Sequence, residues 1–330
     1  MVRKWSVSRD QILQTCERKY FFQYLSGARM NSRDHMLREI AILKKINNTL
    51  AWKGKILHGI IADYYKKTFA RESVSVEEIV KKVRDQIQKD ISSSESFLSS
   101  NLEERLERAA HGEFVLLEHL CGGKGISMSD ESIAHEIEES FGAFYEWQCA
   151  EGIDDLVTKS SRCWIEPDIF GKDAPVFDLD GVSVIAKVDL AIEDHLGNII
   201  IFDWKTGKQI ENSPSRMSHP ELQASIYQLW PHIKYAKELD KIAARFVYIK
   251  KENIGFAEYR IDENKKEDVI GRVRRSISRM EYFDNTILGE SQMKLGDSPT
   301  LALKDLNYSF FSWACTFCQY KIVCKRSLEQ

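Results

Sequence analysis

The chain has 330 residues, 43% of them hydrophobic, and a formal net charge of −3. That length holds one large domain or two modest ones, and the apolar fraction is that of a folded soluble protein. No stretch is apolar for long enough to span a bilayer. The opening Met-Val-Arg-Lys-Trp-Ser lacks the apolar core and cleavage site of a signal peptide, so a cytoplasmic protein without a membrane segment is expected. The slightly negative total does not announce a nucleic-acid binder. Nor does it exclude one, because binding needs only a local basic surface and a carboxylate-built site lowers the sum.

Taken in order, residues 8–25 read as a helix. Ser8 and Gln11 form a candidate capping box, Ile12, Cys16, Tyr20 and Tyr24 recur every fourth residue, and Gly27 marks the end. Helical periodicity continues through Met36 to Ile46, Ile56 to Phe69, Val76 to Ile91, Leu102 to Leu120 and Ile133 to Trp147. After Asp154 the pattern turns to short β-rich runs: Ser161 to Ile165, Val182 to Ile192, Ile199 to Trp204, Ile242 to Ile249 and Phe256 to Ile261. A helix from Glu221 to Leu229 separates the third and fourth, with Pro231 expected to kink or end it. A last helix spans Glu267 to Tyr282. The expected fold is α/β (α+β), a small mixed central sheet flanked by helices with a helical subdomain in front.

The run from Val182 to Lys205 carries candidate chemistry. Asp194-His195-Leu196-Gly197-Asn198 is a turn signal between two strand-like segments. A hairpin centred near Leu196 sets Asp189 opposite position 202 or 203, making Asp189 and Asp203 cross-strand neighbours roughly 5 Å apart. Two carboxylates that close repel by roughly 4 kcal/mol at 4 Å and an effective dielectric near 20. Lys205, on the same face by strand alternation, offsets part of that. A divalent cation with oxygen ligands, Mg²⁺ or Mn²⁺, offsets more, and such a site suits phosphodiester hydrolysis. The alternative is a solvated surface hairpin. Against it, Ile199-Ile200-Ile201-Phe202 is a buried-strand pattern ending in charges.

These residues resemble the PD-(D/E)xK nucleases, specifically the RecB/AddB-like branch that includes CRISPR-associated iron–sulphur exonucleases. Gly54-x-x-x-His58 is similar to the branch's early helical motif. Ala186-Lys-Val-Asp189 resembles G-x-x-D with alanine for glycine, and Val188 stands where the name-giving proline would be. Asp203-Trp-Lys205-Thr-Gly207 resembles D-x-K-T-G, and Gln223-x-x-x-Tyr227 resembles Q-x-x-x-Y. The resemblance implies a restriction-endonuclease-like core. It implies metal ligation by His58, Asp189 and Asp203 with the Trp204 carbonyl, catalysis by Lys205, and orientation by Gln223 and Tyr227.

Seven cysteines in a chain too large to need disulfides read as free thiols or metal ligands. Cys315, Cys318 and Cys324 form a compact trio lacking one partner for a four-thiolate site, and Cys16 supplies it if the chain ends meet. One cysteine in the first helix and three at the C-terminus resembles the [4Fe–4S] staple of the same branch. Zinc is the chemical alternative. Closing so long a loop would stabilise the fold by roughly 5 to 6 kcal/mol on the chain-entropy estimate used for disulfides. Cys121, Cys149 and Cys163 fit buried thiols.

Arg272, Arg274, Arg275 and Arg279, with Lys250 and Lys251, are candidates to meet phosphates or to form a solvated face. Tyr308, Phe311, Trp313 and Phe317 are candidates to stack on bases or to pack around the cysteines. The resulting division is a first helix over 1–30, a helical subdomain over 31–155, a nuclease core over 156–290 and a cysteine segment over 291–330. The leading expectation is a metal-dependent DNA nuclease acting on single strands or duplex ends, with the helical subdomain available to a protein partner. Two other readings stay open: a catalytically silent iron–sulphur DNA-binding subunit of a helicase or defence complex, and a zinc-stapled RNA-processing nuclease.

Overall fold

The first helix starts earlier than expected because Ser6, not Ser8, caps it. The Ser6 hydroxyl accepts the Arg9 N–H at 3.2 Å, satisfying one of the orphan donors of the first turn. The structure, a computed structural model, describes residues 4–122, 130–206, 219–249, 254–292, 306–307, 315 and 318–329. Gly207, Lys250, Lys251, Tyr308, Phe311, Trp313 and Phe317 lie outside the described residues.

Strand β1 (Lys4–Trp5) precedes α1 (Val7–Thr15). The expected single helix over 8–25 is broken at Cys16, where the backbone is extended at φ −160° and ψ 109°. Helix α2 (Glu17–Tyr20) restarts there with the Cys16 sulphur accepting the Lys19 N–H at 3.4 Å, and runs on into a π-helical turn over Phe21–Leu25. Then come α3 (His35–Leu43), α4 (Thr49–Phe69), α5 (Val76–Glu95), α6 (Leu102–Ala110), α7 (Leu117–Leu120), α8 (Asp130–Ala150) and α9 (Ile153–Thr158). One helix from Leu102 to Leu120 was expected. Gly112, at φ +91°, divides it, adopting a backbone that L side chains resist.

The strands form two sheets. Strands β2 (Arg162–Ile165), β5 (Leu190–Glu193), β6 (Ile199–Lys205), β7 (Ile242–Tyr248) and β8 (Gly255–Tyr259) make a five-stranded mixed sheet in the order β2-β5-β6-β7-β8. Within this sheet β6 and β7 pair in parallel and the other neighbours antiparallel, so the chain crosses between β6 and β7 through the intervening helix α10 (His219–Tyr235). Strands β3 (Val176–Leu179) and β4 (Val182–Ile185) join β1 in a second sheet, ordered β1-β4-β3. The expected strand from Val182 to Ile192 is thus two strands in different sheets. The Val188 N–H turns back onto the Ala186 carbonyl at 3.1 Å, a three-residue turn that carries the chain between them. Strand β3, not anticipated, hairpins onto β4 through Asp180 and Gly181 at φ +53° and +81°.

Helix α10 continues through Pro231 to Tyr235, because Trp230 is fully buried against the sheet and packing outweighs the missing N–H. Helix α11 (Glu263–Gln292) begins before Glu267, with the Asp262 carboxylate accepting the Lys265 N–H at 2.7 Å. It also runs past Tyr282. Helix α12 (Lys321–Glu329) closes the described chain.

Alternation along β6 separates two cores. Ile199 and Ile201 pack with α10, α11 and the small sheet, while Phe202 and Trp204 pack with α4 and α8. A third core joins the chain ends: Phe21 and Phe22 pack with Ile287, Leu306, Tyr320 and Val323, and Cys318 and Cys324 lie against it.

Candidate active site

The Asp194 carboxylate accepts the N–H groups of Leu196 and Asn198, both at 2.8 Å, and Gly197 takes φ +80°. That turn sets the hairpin register, pairing Leu190 with Phe202. Asp189 directly precedes that pair, close enough for its charge to act on Asp203. The Asp189 carboxylate is held on both sides: Oδ2 accepts the Trp204 N–H at 2.8 Å and Oδ1 lies 3.3 Å from His58 Nδ1. The Trp204 ring is buried, stacked on Phe202 and Tyr65, which anchors the strand end beneath the site.

His58 comes from α4, whose start is capped by Asn48 accepting the Ala51 N–H at 2.8 Å. Gly54, one turn before His58, faces the end of β6. A Cβ there would sit 3.3 Å from the Thr206 hydroxyl. The glycine lets helix and strand end approach closely enough for His58 to reach Asp189.

Asp203 and Lys205 alternate onto the α10 face. Asp203 is 4% exposed, and its Oδ2 faces the Lys205 ammonium at 2.5 Å. The lysine donates to Gln223 Oε1 at 3.0 Å, and Gln223 Nε2 donates to the Tyr227 hydroxyl at 2.6 Å and reaches Asp203 Oδ1 at 3.3 Å. Tyr227, one turn beyond Gln223 on the same helical face, lies 2.7 Å from Asp203 Oδ1 and also donates to the Lys187 carbonyl.

Burial, and then the charge of Asp189, push the Asp203 carboxyl up to about 6, against the pull of Lys205 and Tyr227. Burial alone would depress the His58 imidazole. The hydrogen bond and charge of Asp189, with Asp203 and Glu166 adding, carry it above its ordinary value instead. Burial raises the Tyr227 hydroxyl well above its usual range, so it stays protonated.

Glu166 was not anticipated. It lies just past β2, its N–H donating to the Asp189 carbonyl at 2.8 Å. Its carboxylate lies within 4.8 Å of the ligand atoms of both His58 and Asp189. No turn motif joins Glu166 to Asp189 in the sequence, so only the β2–β5 ladder brings them together. Carboxylate oxygens and one imidazole nitrogen converging in this way fit a divalent cation such as Mg²⁺ or Mn²⁺.

Among the arginines proposed for phosphate, Arg274 pairs with Asp180 at 2.7 Å on the surface. Arg275 and Arg279 are exposed. Arg272 lies near His219, lowering its pKa after burial has done so.

The chain ends meet. Arg18, 2% exposed, donates to the Leu306 carbonyl at 3.2 Å and brings Nη1 within 4.0 Å of the Cys324 sulphur. Burial raises the Cys318 and Cys324 thiols, and the charge of Cys16 adds to both. Cys315 is exposed, with its carbonyl 3.4 Å from the Cys318 N–H. Two donors are aimed at sulphur, Arg18 at Cys324 and the Lys19 N–H at Cys16, as suits thiolates. Cys121 and Cys149 are exposed rather than buried, at helix C-termini that face solvent, whereas Cys163 is half-buried and its thiol is pushed up to about 12 by burial.

A family model described as the PD-(D/E)XK nuclease superfamily matches residues 4–325. Among solved structures, one described as "Crystal structure of SSO0001" is similar at 14% identity, covering 76% of this chain and 97% of that chain with a TM-score of 0.28. No curated protein matches the chain. No helix among the described residues is long and apolar enough to cross a membrane.

Proposed function

This chain belongs to the PD-(D/E)XK nuclease superfamily, and from that premise we propose that it is a divalent-metal-dependent deoxyribonuclease of the RecB/AddB-like branch, acting on single-stranded DNA or duplex ends. The observation that carries the reading is the convergence of His58, Asp189, Asp203 and Lys205 from three separate elements.

In this reading His58, Asp189 and Asp203, with the Trp204 carbonyl, hold Mg²⁺ or Mn²⁺. The ion supplies polarisation of the scissile phosphate and a lowered pKa for the attacking water. Lys205 orients that water and steadies charge developing on the phosphoryl oxygens. Gln223 fixes the lysine through a 3.0 Å hydrogen bond, so the ammonium is aimed before substrate arrives. Tyr227 holds Asp203 in place from below. Between them, Tyr65, Phe202 and Trp204 exclude water from the back of the site.

Cys16, Cys315, Cys318 and Cys324 are proposed to hold a [4Fe–4S] cluster that ties the chain ends, supported by the reach of the Cys16 and Cys315 charges to Cys324 and by Arg18 beside it. Residues 31–155 are proposed as a helical subdomain open to a protein partner, 156–290 as the catalytic core and 291–330 as the cysteine segment.

The test is cleavage of end-labelled single-stranded, duplex and circular DNA. Mg²⁺ or Mn²⁺ should support it, chelator should stop it, and Lys205→Ala should slow it about 10²- to 10³-fold. Native-rate cleavage by Lys205→Ala or Asp203→Ala rejects this site, and a chain that binds DNA yet never cuts it favours a silent binding subunit. Circular DNA left intact while linear DNA is degraded identifies an exonuclease.

A further inference from the structure

We infer that Glu166 is a further ligand of the cation and makes the ion resident, bound before DNA arrives. This rests on the metal-dependent reading above and adds a residue that the motifs do not contain.

Three observations carry it. The Glu166 carboxylate lies within 4.8 Å of the ligand atoms of both His58 and Asp189, the spacing of donors around one ion. Its backbone is fastened to that of Asp189 by the 2.8 Å hydrogen bond, so the two carboxylates move together. Its φ is +40°, a left-handed conformation that strains a residue with a side chain and that glycine adopts freely. A carboxylate stands where the backbone favours glycine.

Charge points the same way. The charges of Asp189, Asp203 and Glu166 all reach His58, and only Asp203 among them is paired with Lys205 at 2.5 Å, leaving an excess that one divalent ion cancels. Without Glu166 the excess is a single charge. Divalent-ion sites with only one or two carboxylates usually rely on substrate phosphate to complete the shell. With Glu166 the protein supplies three donors at ligand spacing, His58, Glu166 and Asp189, with Asp203 close enough for its charge to act on His58, enough to retain the ion without substrate. The imidazole favours Mn²⁺ over Mg²⁺, since nitrogen suits the later, softer metal.

The test is an EPR titration of DNA-free, metal-free protein with Mn²⁺, alongside thermal melting in chelator. The wild-type chain should bind one Mn²⁺ tightly. Glu166→Gln and Glu166→Gly should each weaken binding tenfold or more, and Glu166→Gly should melt no lower than wild type because it relieves the strained φ. That combination separates a ligand from a structural residue. Wild-type Mn²⁺ affinity in both variants, beside lost affinity in Asp189→Asn, overturns the role of Glu166 and leaves the nuclease reading standing. A wild-type chain that binds no Mn²⁺ and cuts no DNA overturns both.

Discussion

The Tyr227 hydroxyl lies 2.7 Å from Asp203 Oδ1 in a place that water does not reach, and the same oxygen also serves Lys187 and Gln223. One phenolic hydrogen therefore faces two acceptors. A carboxyl that readily takes a proton, as Asp203 does at about 6, suits that shortage of donors.

Tyr227→Phe removes a bond that lowers the pKa of Asp203. The acid limb of the cleavage profile should move to higher pH, and kcat should fall about tenfold, a loss of roughly 1.4 kcal/mol of transition-state stabilisation. A pH–rate profile checks it. An unmoved acid limb would show that Tyr227 only fills space.

Asp203 also ties stability to pH. Its carboxyl titrates at about 6 in the folded chain and near 3.8 when unfolded, so between those values the folded state binds more protons. Stability of the metal-free protein should be greatest below about 4 as far as this group is concerned. It should fall as pH rises to about 6, and stay reduced above. Asp203→Asn should abolish cleavage yet raise the melting temperature at pH 7 in chelator and flatten that dependence. Added Mn²⁺ should stabilise the wild-type chain and not the variant. Melting curves from pH 4 to 8 decide it.

Gly54 gives a steric test of the contact between α4 and the end of β6. Ala at this position meets the Thr206 hydroxyl at 3.3 Å, a rotatable atom, and gains up to about 1 kcal/mol of helix propensity. Gly54→Ala should be stable and active. Gly54→Leu cannot be absorbed that way and should push His58 from Asp189, cutting kcat by about 10²-fold. Equal activity for the two variants would show that helix and strand end are not held in contact.

The cysteine set predicts its own loss. Cys16→Ala and Cys324→Ser should each abolish the brown colour and the iron and sulphide of anaerobic preparations. Each should also lower the melting temperature, because the ends then lose that tie and keep, among the described residues, the apolar core around Phe22 and Tyr320 and polar pairs such as Arg9 with Asp284 and Arg18 with the Leu306 carbonyl. Colourless wild-type protein with stoichiometric zinc would replace the cluster by a zinc site.

Much of the site was legible in the residues because its spacings are local. A turn at Asp194–Asn198 sets the register of a hairpin, so Asp189 and Asp203 come near one another at its open end. A two-residue step aligns Lys205 with Asp203, and a four-residue step aligns Gln223 with Tyr227. Those are properties of strands and helices alone. The apolar run from Ile199 to Phe202 likewise announced a buried strand ending in charges.

Other features depend on contacts between distant segments, and periodicity cannot report them. The break at Cys16, the division of Val182 to Ile192 between two sheets and the passage of α10 through Pro231 are all settled by packing. Glu166 is the sharpest case. It reaches Asp189 across a ladder whose two strands share no turn, from a backbone angle that its side chain disfavours. Local chemistry determined which groups stand in register within a hairpin or along a helix face. Only the tertiary structure decided which separate elements come together, because that choice belongs to the shared burial of apolar surface and not to any one segment.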